Sequence, residues 1–224
     1  MQFKITDQVR RLGVRGAFAI LEGLHNRTYH PEFESYRREL TARLERELAP
    51  GFVDTDPILC GFRELHDAVG RSNRRFPSSA EALVNLFQRK SFVPVINPLV
   101  DVYNCASLET RLSLGAHDLA RVTGDITLRI IDGSERFVPL GKSEPEPIGA
   151  GEYGYVDDSG EVLCRLEHRQ CEKTKLTAET TAAFYIIQGN ARTGHDMLEQ
   201  ALRRLVGLTQ RFCGGEERQF WIVD

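Results

Sequence analysis

No run of apolar residues in this chain approaches the roughly 20 needed to span a bilayer, so neither a membrane-spanning helix nor a membrane partner is expected. The opening stretch, MQFKITDQVRRLG, lacks the apolar core of a secretory leader, which argues against export. The five cysteines (Cys60, Cys105, Cys164, Cys171 and Cys213) are odd in number and scattered. That excludes a regular disulfide frame and suits reduced thiols in a cytoplasmic protein. A basic surplus is missing too: 29 Lys plus Arg face 32 Asp plus Glu, for a net charge of −3. Proteins that grip long nucleic acid through its phosphates normally carry such a surplus, so DNA is not an expected partner and any RNA contact has to be local. GxxxxGK[ST] and GxSxG are absent, which weighs against P-loop and α/β-hydrolase chemistry. Cys164, His168 and Cys171 are spaced C-x3-H-x2-C without an evident fourth ligand, so neither a metal nor another cofactor is expected.

What is present reads as one folded unit. With 224 residues, 41% of them hydrophobic and 27% charged, the chain can bury a sizeable core, and no repeat, low-complexity tract or linker divides it. Helices are expected from Pro31 through Leu48, over residues 56–69 before Gly70, after the Ser78/Glu81 capping pair, and from a Thr193/Asp196 cap to Phe212. Strands are expected at residues 16–21, 124–131, 136–140, 153–156, 162–166 and 183–188, with FWIV as a closing edge strand. The result is a single α+β domain over residues 1–224, with helices flanking a mainly antiparallel sheet.

Residues 93–108 pose the sharpest question, because an otherwise apolar segment carries Asn97, Asp101 and Asn104. Asn97-Pro98 suits a helix start, the amide capping and the proline filling the first turn. Asp101 and Asn104 then share a helix face. A buried carboxylate without partners costs several kcal/mol, so this face either joins a structural network or walls a pocket. A second polar cluster, Arg165, Glu167, His168, Arg169 and Gln170, continues the 162–166 strand and either lines the same pocket or lies on a surface loop. RSNRRF, with Arg71, Arg74 and Arg75, is the best local basic patch: a tRNA contact or a solvated loop.

The ordered series Asn97-x-x-Val100-Asp101-x-x-Asn104, Gly115-x-His117-Asp118, Gly124-Asp125-Ile126 and Pro139-Leu140-Gly141 resembles the B3/B4 domain of the phenylalanyl-tRNA synthetase β subunit. It is more similar still to freestanding B3/B4 proteins, through PSSAEAL, GAHDL, PIGAGEYGYVDD and VLCRLEHRQ, over residues 50–215. The aminoacylation and anticodon-binding modules of the synthetase have no counterpart. In that family the domain houses an editing site that removes tyrosine wrongly joined to phenylalanine tRNA. The resemblance implies a tRNA acceptor end as partner, with Asn104, His117 and Asp118 in catalytic roles. Together with the polar clusters above, Asn97, Asp101, Tyr103, Gly115, His168, Arg169 and Gln170 are expected to meet the substrate, and Arg71, Arg74 and Arg75 to meet the tRNA. Three departures stand out. Tyr103 replaces a small hydroxyl residue, Gly115 replaces a histidine, and Ile186 and Gln188 stand where an acid is expected. Hydrolysis in trans of a mischarged aminoacyl-tRNA and non-catalytic binding of tRNA, an amino acid or another small ligand are both compatible with this pattern.

Overall fold

A computed structural model describes residues 1–223. In chain order the first half contains β1 (Phe3–Ile5), α1 (Asp7–Arg11), β2 (Arg15–Leu24), α2 (Phe33–Glu47), α3 (Phe52–Thr55), α4 (Pro57–Ala68), α5 (Ser79–Lys90), α6 (Pro98–Thr110) and β3 (Ser113–Asp118). The second half contains β4 (Ile126–Ile130), β5 (Tyr153–Asp157), β6 (Val162–Arg165), β7 (Arg169–Gln170), β8 (Ala182–Gly189), α7 (His195–Cys213) and β9 (Gly214–Val223). One sheet runs β1-β4-β5-β6-β7 and the other β3-β8-β2-β9. All their pairings are antiparallel except β1 with β4. This is the expected α+β architecture, its mainly antiparallel strands arranged in two sheets.

The sheets are joined by aromatic burial. Phe3 of β1 stands 4.1 Å, centroid to centroid, from Phe18 of β2, and Phe184 of β8 and Tyr155 of β5 complete the cluster. Such rings bury large apolar areas and supply much of the core energy. Most of β2 is buried on both faces, which is why it reads as a continuous apolar run without alternation. Helices α6 and α7 pack on each other, α6 also against β3 and α7 also against β2 and β9. Among the described residues no helix is long and apolar enough to cross a membrane.

Local chemistry explains the helix starts, with some revisions. Asp56 accepts the Ile58 and Leu59 amides at 3.0 Å and caps α4. Ser78 accepts the Glu81 amide at 3.2 Å, but Glu81 does not complete the capping box, because its carboxylate receives Arg63 and Asn73. Helix α2 begins at Phe33, beyond Pro31, with Glu32 at its cap. Gly194, not Thr193, caps α7, since the Thr193 hydroxyl already accepts the Asn190 amide. Residues 136–140 form only isolated bridges, at Arg136 and Pro139. His117 and Asp118 belong to β3. That strand, β1 and the short α1 and α3 carry too little periodicity to be read from sequence.

Gly61 shows packing overriding propensity. A Cβ there would stand 2.2 Å from Oδ1 of Asn190, a fully buried residue whose amide donates to the Ile58 carbonyl at 2.8 Å. In an exposed helix Gly→Ala gains roughly 1 kcal/mol. Here, overpacking against a fixed amide costs more, and Gly61→Ala is expected to destabilise the fold by about 1–3 kcal/mol. Urea unfolding at constant m-value measures it, and a stabilised variant contradicts the account.

Candidate functional site

Where the two sheets meet α6 there is a cavity of about 210 Å³. Each wall follows from a strand register or a helix face. Ser113 pairs with Gln188 and Gly115 with Ile186 across β3 and β8, so all four present one face to the cavity. Tyr155 and Cys164 pair across β5 and β6 and line the opposite side. Tyr103 and Asn104 come from α6, Ser79 from the start of α5. The remaining wall is the turn from β6 into β7, which supplies Glu167, His168, Arg169 and Gln170. That turn forms because Leu166, buried, adopts φ 49°, a left-handed conformation costly for a branched side chain and held by its surroundings. Segment 77–79 holds it in place. The Ser79 amide donates to the Glu167 carbonyl at 2.9 Å, and His168 Nδ1 lies 2.7 Å from the Pro77 carbonyl.

The floor is a buried polar network centred on Glu167. Glu167 Oε2 accepts from the Tyr153 hydroxyl and the Gln188 amide, each at 2.6 Å, while Oε1 meets His66 Nε2 at 2.6 Å. Gln188 in turn accepts the Tyr155 hydroxyl at 2.7 Å. Burial alone would lower the His66 pKa, but the Glu167 carboxylate outweighs it and holds the imidazole above its ordinary value. A carboxylate therefore stands beside Gln188, reached from β6 and not from β8. His66, 101 residues distant in sequence, gave no signal of its place here. Glu167 lay within the polar continuation of β6.

Against this floor Asn104 is distinctive, since its side-chain amide meets no hydrogen-bonding partner among the described residues. His168 is equally defined. A carbonyl only accepts, so Nδ1 carries the proton toward Pro77 and Nε2 keeps its lone pair. Burial lowers the His168 pKa and favours this neutral form. The Cys164 thiol is pushed well up by burial, which leaves it a poor nucleophile at neutral pH. Tyr103 fills volume that a small residue would leave open. Gly115 is covered by Gln170, whose amide nitrogen a Cβ there would meet at 2.6 Å and have to displace. Among the described residues no group of three or more His, Cys, Asp and Glu could hold a metal ion.

Of the residues expected at the site, Tyr103, Asn104, Gly115, His168, Arg169 and Gln170 are brought together here. Four are not. Asn97 caps α6 by accepting the Val100 amide at 3.1 Å. Asp101 is sealed from solvent, accepting the Tyr29 hydroxyl at 2.8 Å and the Ile96 amide at 2.9 Å, with Arg37 at 3.9 Å. The expectation that Asp101 walls the same hollow as Asn104 is thereby corrected. The two are one helical turn apart and serve different neighbours. His117 lies further along β3, buried with Nδ1 2.7 Å from the Thr174 hydroxyl. Asp118 accepts the Ala120 amide and the Thr180 hydroxyl. In the basic patch Arg74 is exposed, Arg75 lies over the Phe76 ring, and Arg71 turns inward onto Glu152.

The B3/4 domain family matches residues 63–214, a span that contains every cavity residue named above. The chain is similar to the phenylalanine–tRNA ligase β subunits of Brucella suis biovar 1 and Brucella melitensis biotype 1. With each it is 28% identical over 106 residues, which is 46% of this chain and 13% of the relative. Its fold is similar to an N-terminal fragment of the phenylalanyl-tRNA synthetase β subunit from Pyrococcus horikoshii. There the TM-score is 0.54 at 15% identity, covering 97% of this chain and 50% of that one. The chain thus spans a small part of the ligase subunits and half of the solved fragment.

His117 has a measurable consequence for stability. Burial depresses its pKa from 6.5 to about 4, so between those values the unfolded chain binds a proton that the folded chain refuses. Stability is then lost as pH falls through this window, by an amount on the order of 3 kcal/mol. Urea unfolding at pH 7 and pH 4.5 is expected to show a smaller acid loss in His117→Gln than in the parent protein. An equal loss removes His117 as the source.

Proposed function

We propose, for a chain that belongs to the B3/4 domain family, hydrolysis in trans of the ester joining a wrongly attached amino acid to tRNA. The observation that carries this reading is the pairing of an Asn104 amide, unpartnered among the described residues, with a neutral His168 in a cavity the size of an amino-acid side chain. Ester cleavage needs an oriented water and a donor for the developing oxyanion, not a protein nucleophile. Water attacks the ester carbonyl, His168 Nε2 takes its proton, and Asn104 donates to the oxyanion. The carbon–oxygen bond then breaks to release the free amino acid and the tRNA hydroxyl, which regains the proton. The raised Cys164 thiol supports water as the attacking group. Glu167 and Gln188 at the floor supply fixed polar groups that would select the side chain. We place the activity in the cytosol, where five free thiols persist.

One observation favours a second reading, ligand binding without turnover. The position where the resemblance expects a histidine is Gly115, covered by the Gln170 amide. The two readings separate in one assay, in which purified protein is incubated with a panel of mischarged tRNAs and ester loss is followed. Acceleration on at least one member is expected, and none on any member sinks the hydrolase reading. Asn104→Ala is expected to lower kcat by roughly 10²–10³, the usual cost of an oxyanion donor, with unchanged circular dichroism. The pH–rate profile is expected to fall on the acid side, below the ordinary histidine value of about 6.5. His168→Gln is expected to flatten that limb, and an unaltered profile excludes His168 as the base.

A further inference from the structure

Next to the cavity lies a second hollow of about 430 Å³, lined chiefly by Arg71, Arg75, Phe76, Glu152 and Arg165. Three guanidiniums and a single carboxylate line it, in a chain whose net charge is −3. Glu152 is fully buried and engaged by Arg71 through Nε and by Arg165 through Nε and Nη2. Burial alone would raise its carboxyl pKa, but the two guanidiniums hold it below the ordinary value. Gly149 makes the pairing possible, since a Cβ there would stand 2.2 Å from Arg71 Nη2. Glu152 thus orients both arginines while neutralising only one, and terminal N–H groups remain on each. Arg75 is exposed and pairs with no carboxylate among the described residues; like Arg165, it lies over the Phe76 ring.

Guanidinium groups held in a fixed fork match the oxygens of a phosphate in bidentate geometry. The hollow is also correctly placed for one particular phosphate. The Phe76 ring stands 5.5 Å from the His168 ring, edge to face, and Arg165 lies three residues before His168 on the same turn. The two hollows are therefore separated by one layer of side chains. We infer that Arg71, Arg75 and Arg165, oriented by Glu152 and Phe76, form a subsite for the phosphodiester 5′ to the terminal nucleotide of an RNA whose aminoacyl ester occupies the neighbouring cavity. This assignment rests on the hydrolase reading for the ester, but the phosphate preference is measured without it. It also explains how an acidic protein handles RNA: a few oriented cations grip one phosphate beside the reacting group.

The test is calorimetric titration at low salt with adenosine, 5′-AMP and the dinucleotide CpA. CpA is expected to bind at least about tenfold tighter than adenosine, the step that roughly 1.4 kcal/mol provides. Arg75→Ala is expected to weaken CpA about fivefold and to reduce its salt slope by about one phosphate contact, while leaving adenosine unchanged. Arg165→Lys, which keeps the charge on Glu152 but loses the fork, is expected to weaken CpA similarly with intact circular dichroism. Equal affinities for CpA and adenosine overturn the subsite, as does a CpA affinity unaffected by both Arg75→Ala and Arg165→Lys. Tight 5′-AMP with no CpA binding overturns the RNA assignment in favour of a free nucleotide. The mischarged-tRNA panel run in parallel reads ester loss directly, so a failed phosphate preference beside intact hydrolysis rejects this subsite alone.

Discussion

The buried Glu167 carboxylate is the constraint on which the rest of the site depends. It gathers His66 from α4, Tyr153 from β5 and Gln188 from β8, three elements that share no local sequence. A carboxylate taken out of water is tolerated only when its lone pairs are met, and breaking such a set by removing one partner typically costs about 3–5 kcal/mol. Because every bond in the set runs donor to acceptor, the direction of each group follows. Gln188 must turn its nitrogen to Glu167, and its oxygen then receives Tyr155. The cavity floor is consequently preorganised, with dipoles fixed before any ligand arrives.

Helix α6 divides its polar residues between two tasks. Near its start, Asn97 and Asp101 satisfy backbone amides and anchor the segment around Tyr29 and Arg37. Three residues on, a rise of about 4.5 Å along the axis carries Asn104 past that network to the cavity. Asp101 is bonded and sealed, and burial still raises its pKa. Its role is to hold the helix in position, and Asn104 is aimed as a result. The difference between the two lies in hydrogen-bonding partners, not in burial of the helix.

The β6–β7 turn links the chemistry of both hollows. Arg165 faces the cationic one, while Glu167, His168, Arg169 and Gln170 line the cavity. A left-handed Leu166 between them reverses the chain. One short stretch therefore lines two adjacent hollows, which under the proposed function suits a ligand whose ends differ in chemistry, an amino acid at one and a phosphate at the other.

Much of this was legible without coordinates. Asn97-Pro98 marked the start of α6, Ser78 the start of α5, and alternation or apolar runs marked β2, β4, β5, β6 and β8, because caps and strand faces are set by residues a few positions apart. The polar tail of β6 was readable as a second wall for the same reason. Sequence could not separate Asp101 from Asn104, nor place His117 deep in β3, because both depend on partners such as Tyr29 and Thr174 contributed from far along the chain. Likewise the Glu167 carboxylate reaches Gln188 of β8 across the space between the sheets. Short-range spacing determined which residues are polar and which face they take. Only the packing of distant segments decided which of those polar groups are satisfied by the protein and which are left for a ligand.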